Sequence, residues 1–472
     1  MSPCVCWAAA GTKCSDFFRI MLVTISNLYP RPDHPQLGMF NAQLFRAMDT
    51  LVQQSAGAEV PSLLNFCLVP EWRVWRWPRI RAWREPVFGD VRSEVGSQRS
   101  EGRGRRSEKR GLRTRYLPVF YLPVLGRDWM PRTYRLSMRS LGVAIRGAEA
   151  VYAAWLYPDG VAATQLASEH GIPSWIMVQG SDTFHLTSPG RRQAIVDACG
   201  KAAGIVCVWR GLAERLVAAG VESRKIHVVA NGVDTDLFRY RPKEEAARHL
   251  AAPGVPVTGS SDSLRGLPSL AVEGKVRIAL FVGNLVHVKG PDILLQAWEQ
   301  LLANAAQQRG ASAVPAVGGQ SLPLRLVVLG DGPLRAVLEA RARTMGMAAS
   351  VAFLGSRPHA EVALWMNLAD CLCLTSRSEG MPNAVLEALA SGLPVVATDV
   401  GACRELVGAD PNARVVAARQ EADLPPELAK AMRELLDACL DRRESARRHA
   451  SRLSWRQTAE NILALMRGGL PC

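Results

Sequence analysis

The 472-residue chain has no run of about 18 unbroken apolar residues, so it lacks a membrane-spanning segment. Its 39 glycines follow no period and its 29 prolines are spread throughout, which excludes collagen-like and coiled-coil classes. Eleven cysteines are too few for a disulfide scaffold of this size, and their number is odd. Cys4, Cys6 and Cys14 have no matching His/Cys pair, so zinc spacing is absent. Residues 1–18 have no basic start ahead of a long apolar core, as a secretory signal needs; they read as an extension outside the fold. No Walker A sequence occurs, which disfavours ATP-driven phosphoryl transfer. No Asp-x-Asp motif stands at a strand end, so no metal is expected. These absences point to a reduced, cytosolic setting.

What is present is a globular balance, 48% hydrophobic and 21% charged, long enough for two or three domains. The formal charge of +14 implies an anionic partner. No nucleic-acid motif accompanies it, so nucleic acid is not expected.

Short β-rich runs alternate with helical stretches, the pattern of parallel sheets wrapped by helices. Strands are expected at 19–28, 64–69, 150–156, 173–179, 204–209 and 226–230, then at 276–283, 324–330, 351–354, 371–375, 394–398 and 413–417. Helices are expected at 191–203, 290–304, 334–345 and 383–391. The fold class is therefore α/β, with two doubly wound units. The first spans 19–240 and the second 276–452, joined by a linker at 241–275. The stretch 306–323 reads as a surface insertion. A further irregular stretch, 71–115, is the most biased, with fourteen basic against six acidic residues. It also interleaves Trp72, Trp75, Trp77 and Trp83 with arginine.

The densest chemistry is Ser378-Glu379-Gly380-Met381-Pro382-Asn383…Glu387. A strand ends near Thr375, a polar turn follows, and a helix begins near Asn383. Free N–H groups at that helix start suit an anion such as a diphosphate. Glu379 in the turn and Glu387 in the helix can accept hydrogen bonds from sugar hydroxyls; taken alone, they equally suit a plain helix start. Val282-Gly283-Asn284-Leu285…Lys289-Gly290 adds a second strand-to-helix loop, with Lys289 as a point charge for phosphate. Gly330-Asp331-Gly332-Pro333 adds a third. Three such loops at strand ends mark a nucleotide crevice.

In this order and spacing, and with Phe353-Leu354-Gly355 and Gly392-Leu393-Pro394, the motifs resemble the retaining family 4 glycosyltransferases of the GT-B fold. The first half adds Asn27-Leu28-Tyr29-Pro30…Gly38, Tyr157-Pro158-Asp159-Gly160, Gln179-Gly180-Ser181-Asp182 and Asn231-Gly232-Val233-Asp234. Bacterial teichuronic-acid and exopolysaccharide enzymes are the most similar type. The resemblance implies two Rossmann-like domains across a cleft, and a helix at 453–472 returning to the first. It implies a nucleotide-diphosphate sugar donor, a glycan or lipid-linked acceptor, and no cofactor or metal. Lys289 would contact the diphosphate, Glu379 the sugar hydroxyls and Glu387 the ribose. Gly283, Gly380, Met381, Pro382 and Asn383 would line the donor. Gly330, Asp331, Gly332 and Arg357 would lie near ribose and base. Gly38 would bring backbone N–H groups to the diphosphate.

Two positions depart from the family. Asn284 stands where Arg is common, which removes a bidentate phosphate partner. Gln179 stands where His often touches the donor sugar; Gln donates but does not titrate near neutral pH. His185 is a candidate partial substitute. Phosphorylase or epimerase chemistry, and a non-catalytic nucleotide-sugar-binding protein, are the alternatives. The Trp- and Arg-rich stretch 71–115 suggests rest on the cytoplasmic face of an anionic membrane.

Overall fold

The computed structural model describes residues 22–34, 37–56, 63–71, 76–81, 112–121, 127–251, 266–311, 323–438, 442–450 and 452–468. The extension 1–18, most of the basic stretch 71–115, the middle of the 241–275 segment and most of the 306–323 insertion lie outside the described residues.

The first sheet has seven parallel strands: β1 (Leu22–Ser26), β2 (Leu63–Pro70), β3 (Arg113–Val119), β4 (Ala150–Ala153), β5 (Ser174–Val178), β6 (Gly204–Cys207) and β7 (Ile226–Val228), in the order β3-β2-β1-β4-β5-β6-β7. The second has six: β8 (Arg277–Val282), β9 (Leu324–Leu329), β10 (Val351–Gly355), β11 (Cys371–Leu374), β12 (Val395–Thr398) and β13 (Ala413–Val416), in the order β10-β9-β8-β11-β12-β13. Both are doubly wound. Strand order reverses between β1 and β4 and again between β8 and β11, which opens a crevice at each switch point.

Apolar residues on successive positions explain these strands, since parallel strands are covered on both faces. In β8, Ile278 and Leu280 enter one core while Ala279 and Phe281 enter another on the opposite face. In β1, Leu22 packs on one side, and Val23 and Ile25 on the other.

The twelve expected strands are all present. β3 is an addition, and it corrects the reading of 71–115 as irregular up to Arg115. As an edge strand paired only with β2, it leaves Arg115 exposed while Tyr116, Leu117 and Val119 are buried. Edge position also admits Pro118 within the strand. A short helix, Trp77–Arg81, precedes it and buries Ile80 in the first core.

The 241–275 segment is helical at both described ends. Lys243–Leu250 and Leu267–Val272 bury Ala246, Leu250, Leu267 and Ala271 in the second core, so these helices belong to that half. The helix Trp455–Met466 returns to the first half, where Ala459, Ile462 and Leu463 are buried. Its start is capped by Ser454 Oγ, which accepts the Gln457 N–H at 3.1 Å. Among the described residues, no helix is long and apolar enough to cross a membrane.

Candidate active site

The candidate site forms where β8 and β11 end side by side. After β8, the chain turns through His287–Lys289 and closes at Gly290, whose φ is 60°. A Cβ there would lie 2.0 Å from the Thr375 carbonyl oxygen, so only glycine fits. Thr375 Oγ1 donates to the Gly290 carbonyl at 2.8 Å and ties the two loops together.

This juxtaposition brings two sequence candidates into contact. Lys289 Nζ donates to Glu379 Oε1 at 2.7 Å and Oε2 at 2.9 Å. Ser376 Oγ donates to Oε1 at 2.6 Å. The Glu379 side chain is 8% exposed and that of Lys289 is 31% exposed, so the cation is the part open to the cleft.

The turn after Glu379 feeds the helix Asn383–Ala390. Pro382 stands at its N-cap, where the missing N–H costs nothing. Asn383 Oδ1 is buried without a hydrogen-bond partner. One turn further, Glu387 lies on the same helix face, and burial pushes its carboxyl up to about 8.

The other donor candidates serve the loops. The Gly283 N–H bonds the Leu329 carbonyl at 3.0 Å, and the Gly330 N–H bonds the Gly355 carbonyl at 2.9 Å. The neighbouring Asn284 belongs to the same loop, which Leu285 ties to Asp331 through a 2.9 Å backbone bond. Asp331 pairs with Arg335 at 3.0 Å, and its Oδ1 accepts the Gly332 N–H at 2.8 Å. Arg357 lies 3.5 Å from Glu361, with its side chain 5% exposed.

The first half meets this site through backbone. A Cβ on Gly380 would lie 2.3 Å from the Gln179 carbonyl oxygen, and one on Gly180 would lie 2.8 Å from Gly380 Cα. The Gly380 carbonyl in turn accepts the Ala402 N–H at 2.9 Å. Met381 packs against hydrophobic cores of both halves.

The Gln179 side chain points into a polar chain. Its Nε2 donates to Asn41 Oδ1 at 3.3 Å, and its Oε1 accepts from Asn231 Nδ2 at 3.3 Å. Asn41 Nδ2 donates to Ser26 Oγ at 3.1 Å and to the Leu28 carbonyl at 2.8 Å. Gly38 folds against that same Leu28 carbonyl, where a Cβ would come within 2.2 Å. Asp182 is fully buried and accepts the N–H groups of Gly180 (2.8 Å), Leu156 (3.1 Å) and Gln179 (3.2 Å). Asp159 accepts the Asn27 N–H at 2.6 Å. Burial, with Asp182 nearby, pushes the Asp159 carboxyl up to about 7. His185 packs at a tilt against Tyr157, with ring centroids 4.5 Å apart, and meets Arg191 at 3.0 Å; burial, then Arg191 and Arg127, lower its pKa.

Sequence reasoning missed Ser376, Asn41 and Asn231 as partners of the site residues. Ser376 adjoins the quoted turn, and Asn231 was visible only as part of a motif. Nothing in the sequence linked Asn41 to Gln179. The Asp-x-Asp sequence Asp234-Thr235-Asp236 is used as a turn, with Asp234 Oδ1 accepting the N–H groups of Asp236 and Leu237 at 3.1 Å each.

Two family models match the chain. "Glycosyltransferase Family 4" covers residues 94–237 and "Glycosyl transferases group 1" covers 267–451. The chain belongs to the family 4 glycosyltransferases. Its fold is GT-B. A D-inositol 3-phosphate glycosyltransferase of Catenulispora acidiphila is 32% identical over 244 residues, 51% of this chain and 50% of that protein. One from Acidothermus cellulolyticus is 31% identical over 60% of this chain and 57% of its own. The chain thus spans about half the length of the curated relatives it matches. Among solved structures, Anabaena HepE in complex with UDP superposes with TM-score 0.63 at 14% identity, covering 95% of this chain and 100% of that one. The sucrose-phosphate synthase of Thermosynechococcus elongatus gives 0.62 at 16%, covering 95% and 99%. At these identities, both describe the fold of this family 4 chain.

Proposed function

We propose that the chain transfers a sugar, with retention of configuration, from a nucleotide-diphosphate sugar to a glycan or lipid-linked acceptor in cell-surface polysaccharide synthesis. The observation that carries this reading is the Lys289–Glu379 pair beside the helix start at Asn383. A diphosphate arriving there meets Lys289 and the free N–H groups of the first helical turn. Lys289 then exchanges its carboxylate partner for phosphate oxygens. That frees Glu379 to accept from sugar hydroxyls, with Ser376 holding one of its oxygens in place. Glu387, a turn along, faces the ribose. No metal is required, because these groups offset the diphosphate charge.

In the transfer step the bond from the anomeric carbon to the phosphate oxygen breaks. A bond to the acceptor oxygen forms on the same face, and the acceptor proton passes to the leaving phosphate. No protein base is needed, which suits a chain with Gln179 where relatives carry His. Gln179 and Gly180 contribute through the backbone they hold against Gly380. Solved structures of HepE with UDP-glucose and of the lipopolysaccharide galactosyltransferase WaaB share this fold and support the reading. Cytoplasmic location and contact of 71–115 with an anionic membrane belong to the same proposal.

A second reading, a nucleotide-sugar-binding protein without transfer, is favoured by Asn284 and by the inward engagement of Gln179. The deciding experiment is a thermal-shift panel of UDP-, GDP- and ADP-sugars, followed by acceptor screening with the stabilising donor. Acceptor-dependent product, unaffected by EDTA, is the expected result. Donor binding without product under any acceptor would favour the second reading.

A further inference from the structure

Residues 130–146 form one nearly continuous helical stretch: Met130–Met138, a tighter turn Arg139–Leu141, and Gly142–Arg146. Its inner face is filled by Tyr134, Met138, Leu141 and Ile145, all buried in the core against β1, β2 and β3. That face alone accounts for an amphipathic surface helix. The outer face nevertheless carries a second apolar row. Trp129, Leu136 and Val143 recur every seven residues and are 65%, 52% and 75% exposed. Arg132, Arg139 and Arg146 recur at the same interval, three residues on, and all are exposed. Seven residues is close to two turns, so each set forms a line along the helix, about 21 Å long.

Isolated exposed apolar residues are ordinary, but two parallel rows in register form a patterned surface. The guanidinium groups of the three arginines have no partner among the described residues. Two carboxylates near this stretch are already engaged, Glu169 by Arg135 and Asp128 by Arg191 at 2.7 Å, while the exposed Glu149 follows Arg146 by three positions. Arg132 also lines a shallow groove of about 430 Å³ with Arg135, Gln165, Ser168, Glu169 and Lys201, room enough for a phosphate headgroup.

We propose that this face seats the protein on a bilayer rich in anionic phospholipid. Trp129, Leu136 and Val143 enter the headgroup region, and Arg132, Arg139 and Arg146 meet lipid phosphates. The inference deepens the lipid-linked branch of the proposed function by naming a surface outside 71–115. Its test does not use transfer, so it fails or stands independently of the donor chemistry.

The test is sedimentation of the full chain with vesicles of phosphatidylcholine, with and without phosphatidylglycerol. Binding is expected only to the anionic vesicles, and weaker at high salt. The triple variant Arg132→Gln/Arg139→Gln/Arg146→Gln should lose on the order of a hundredfold in partitioning. The triple variant Trp129→Ser/Leu136→Ser/Val143→Ser should also lose binding, with its melting temperature retained. Binding that survives both variants overturns the proposal, as does binding abolished only by changing the arginines between 73 and 110. Loss with the arginine variant alone, together with competition by polyglutamate, would indicate an acidic protein partner and also overturns it.

Discussion

The two halves share one topology but use polar groups in opposite ways. Around the first sheet's switch point the polar groups are buried, and Ser26, Asn41, Gln179 and Asn231 form a neutral chain of amides and a hydroxyl. Around the second, Lys289 and Glu379 meet as a charged pair with the cation partly open to the cleft. A neutral network whose amides bond one another holds backbone in position. A charged pair with one accessible member can change partner when an anion arrives. The first half therefore supplies shape at the cleft and the second supplies charge.

The sharpest way to break this contrast is at the charged pair. Glu379→Ala should keep the fold and lower kcat/KM by about thirtyfold to a thousandfold, the loss of a charge-assisted hydrogen-bond set worth roughly 2–4 kcal/mol. Lys289→Ala should instead raise the donor KM, by more than Asn284→Ala does, because Asn284 carries no charge. Unchanged nucleotide affinity in calorimetry of Lys289→Ala would remove the cation from the site.

The next effect belongs to the neutral chain. Gln179→Leu strands Asn41 Oδ1 and Asn231 Nδ2, and should cost about 1–3 kcal/mol of stability. Chemical denaturation reads this directly. Equal stability of the variant and the parent would show that the amide chain does not hold the Gly180 turn.

The smallest effect concerns pH. Burial raises Glu387 from the ordinary 4.5 to about 8, so the folded chain keeps a proton that the unfolded chain releases. Its contribution to stability is intact below about 4.5 and declines as pH rises toward about 8. Melting temperatures across that range should fall less steeply for Glu387→Gln than for the parent.

Most of the fold was legible because the strands are apolar on both faces and end in glycine-bearing loops. β3 escaped because its outward residue is Arg115 and its neighbours are basic, so charge hid the alternation that Tyr116, Leu117 and Val119 carry. The helices Lys243–Leu250 and Leu267–Val272 were hidden by the Gly-, Pro- and Ser-rich stretch beginning at Ala251. At the site, residue types and spacing pointed to Lys289 and Glu379 separately. Their contact depends on β8 and β11 being neighbours, which 90 residues of sequence separation conceal. Gln179 was read as facing a sugar. Its amide turns inward because Asn41 and Asn231 offer partners from a helix and a loop far away in sequence.

The helix Trp455–Met466 sets an order of assembly. Trp455, Ile462 and Leu463 fill the first core, and Thr458 Oγ1 donates to the Ala230 carbonyl at 3.0 Å across 228 positions of chain. A nascent chain emerging from the ribosome has its first sheet made long before this helix exists. Until the helix arrives, the surface over Met39–Ala56 stays uncovered. The second half can finish its own sheet first, so the half that comes earlier in the chain is the later one to close.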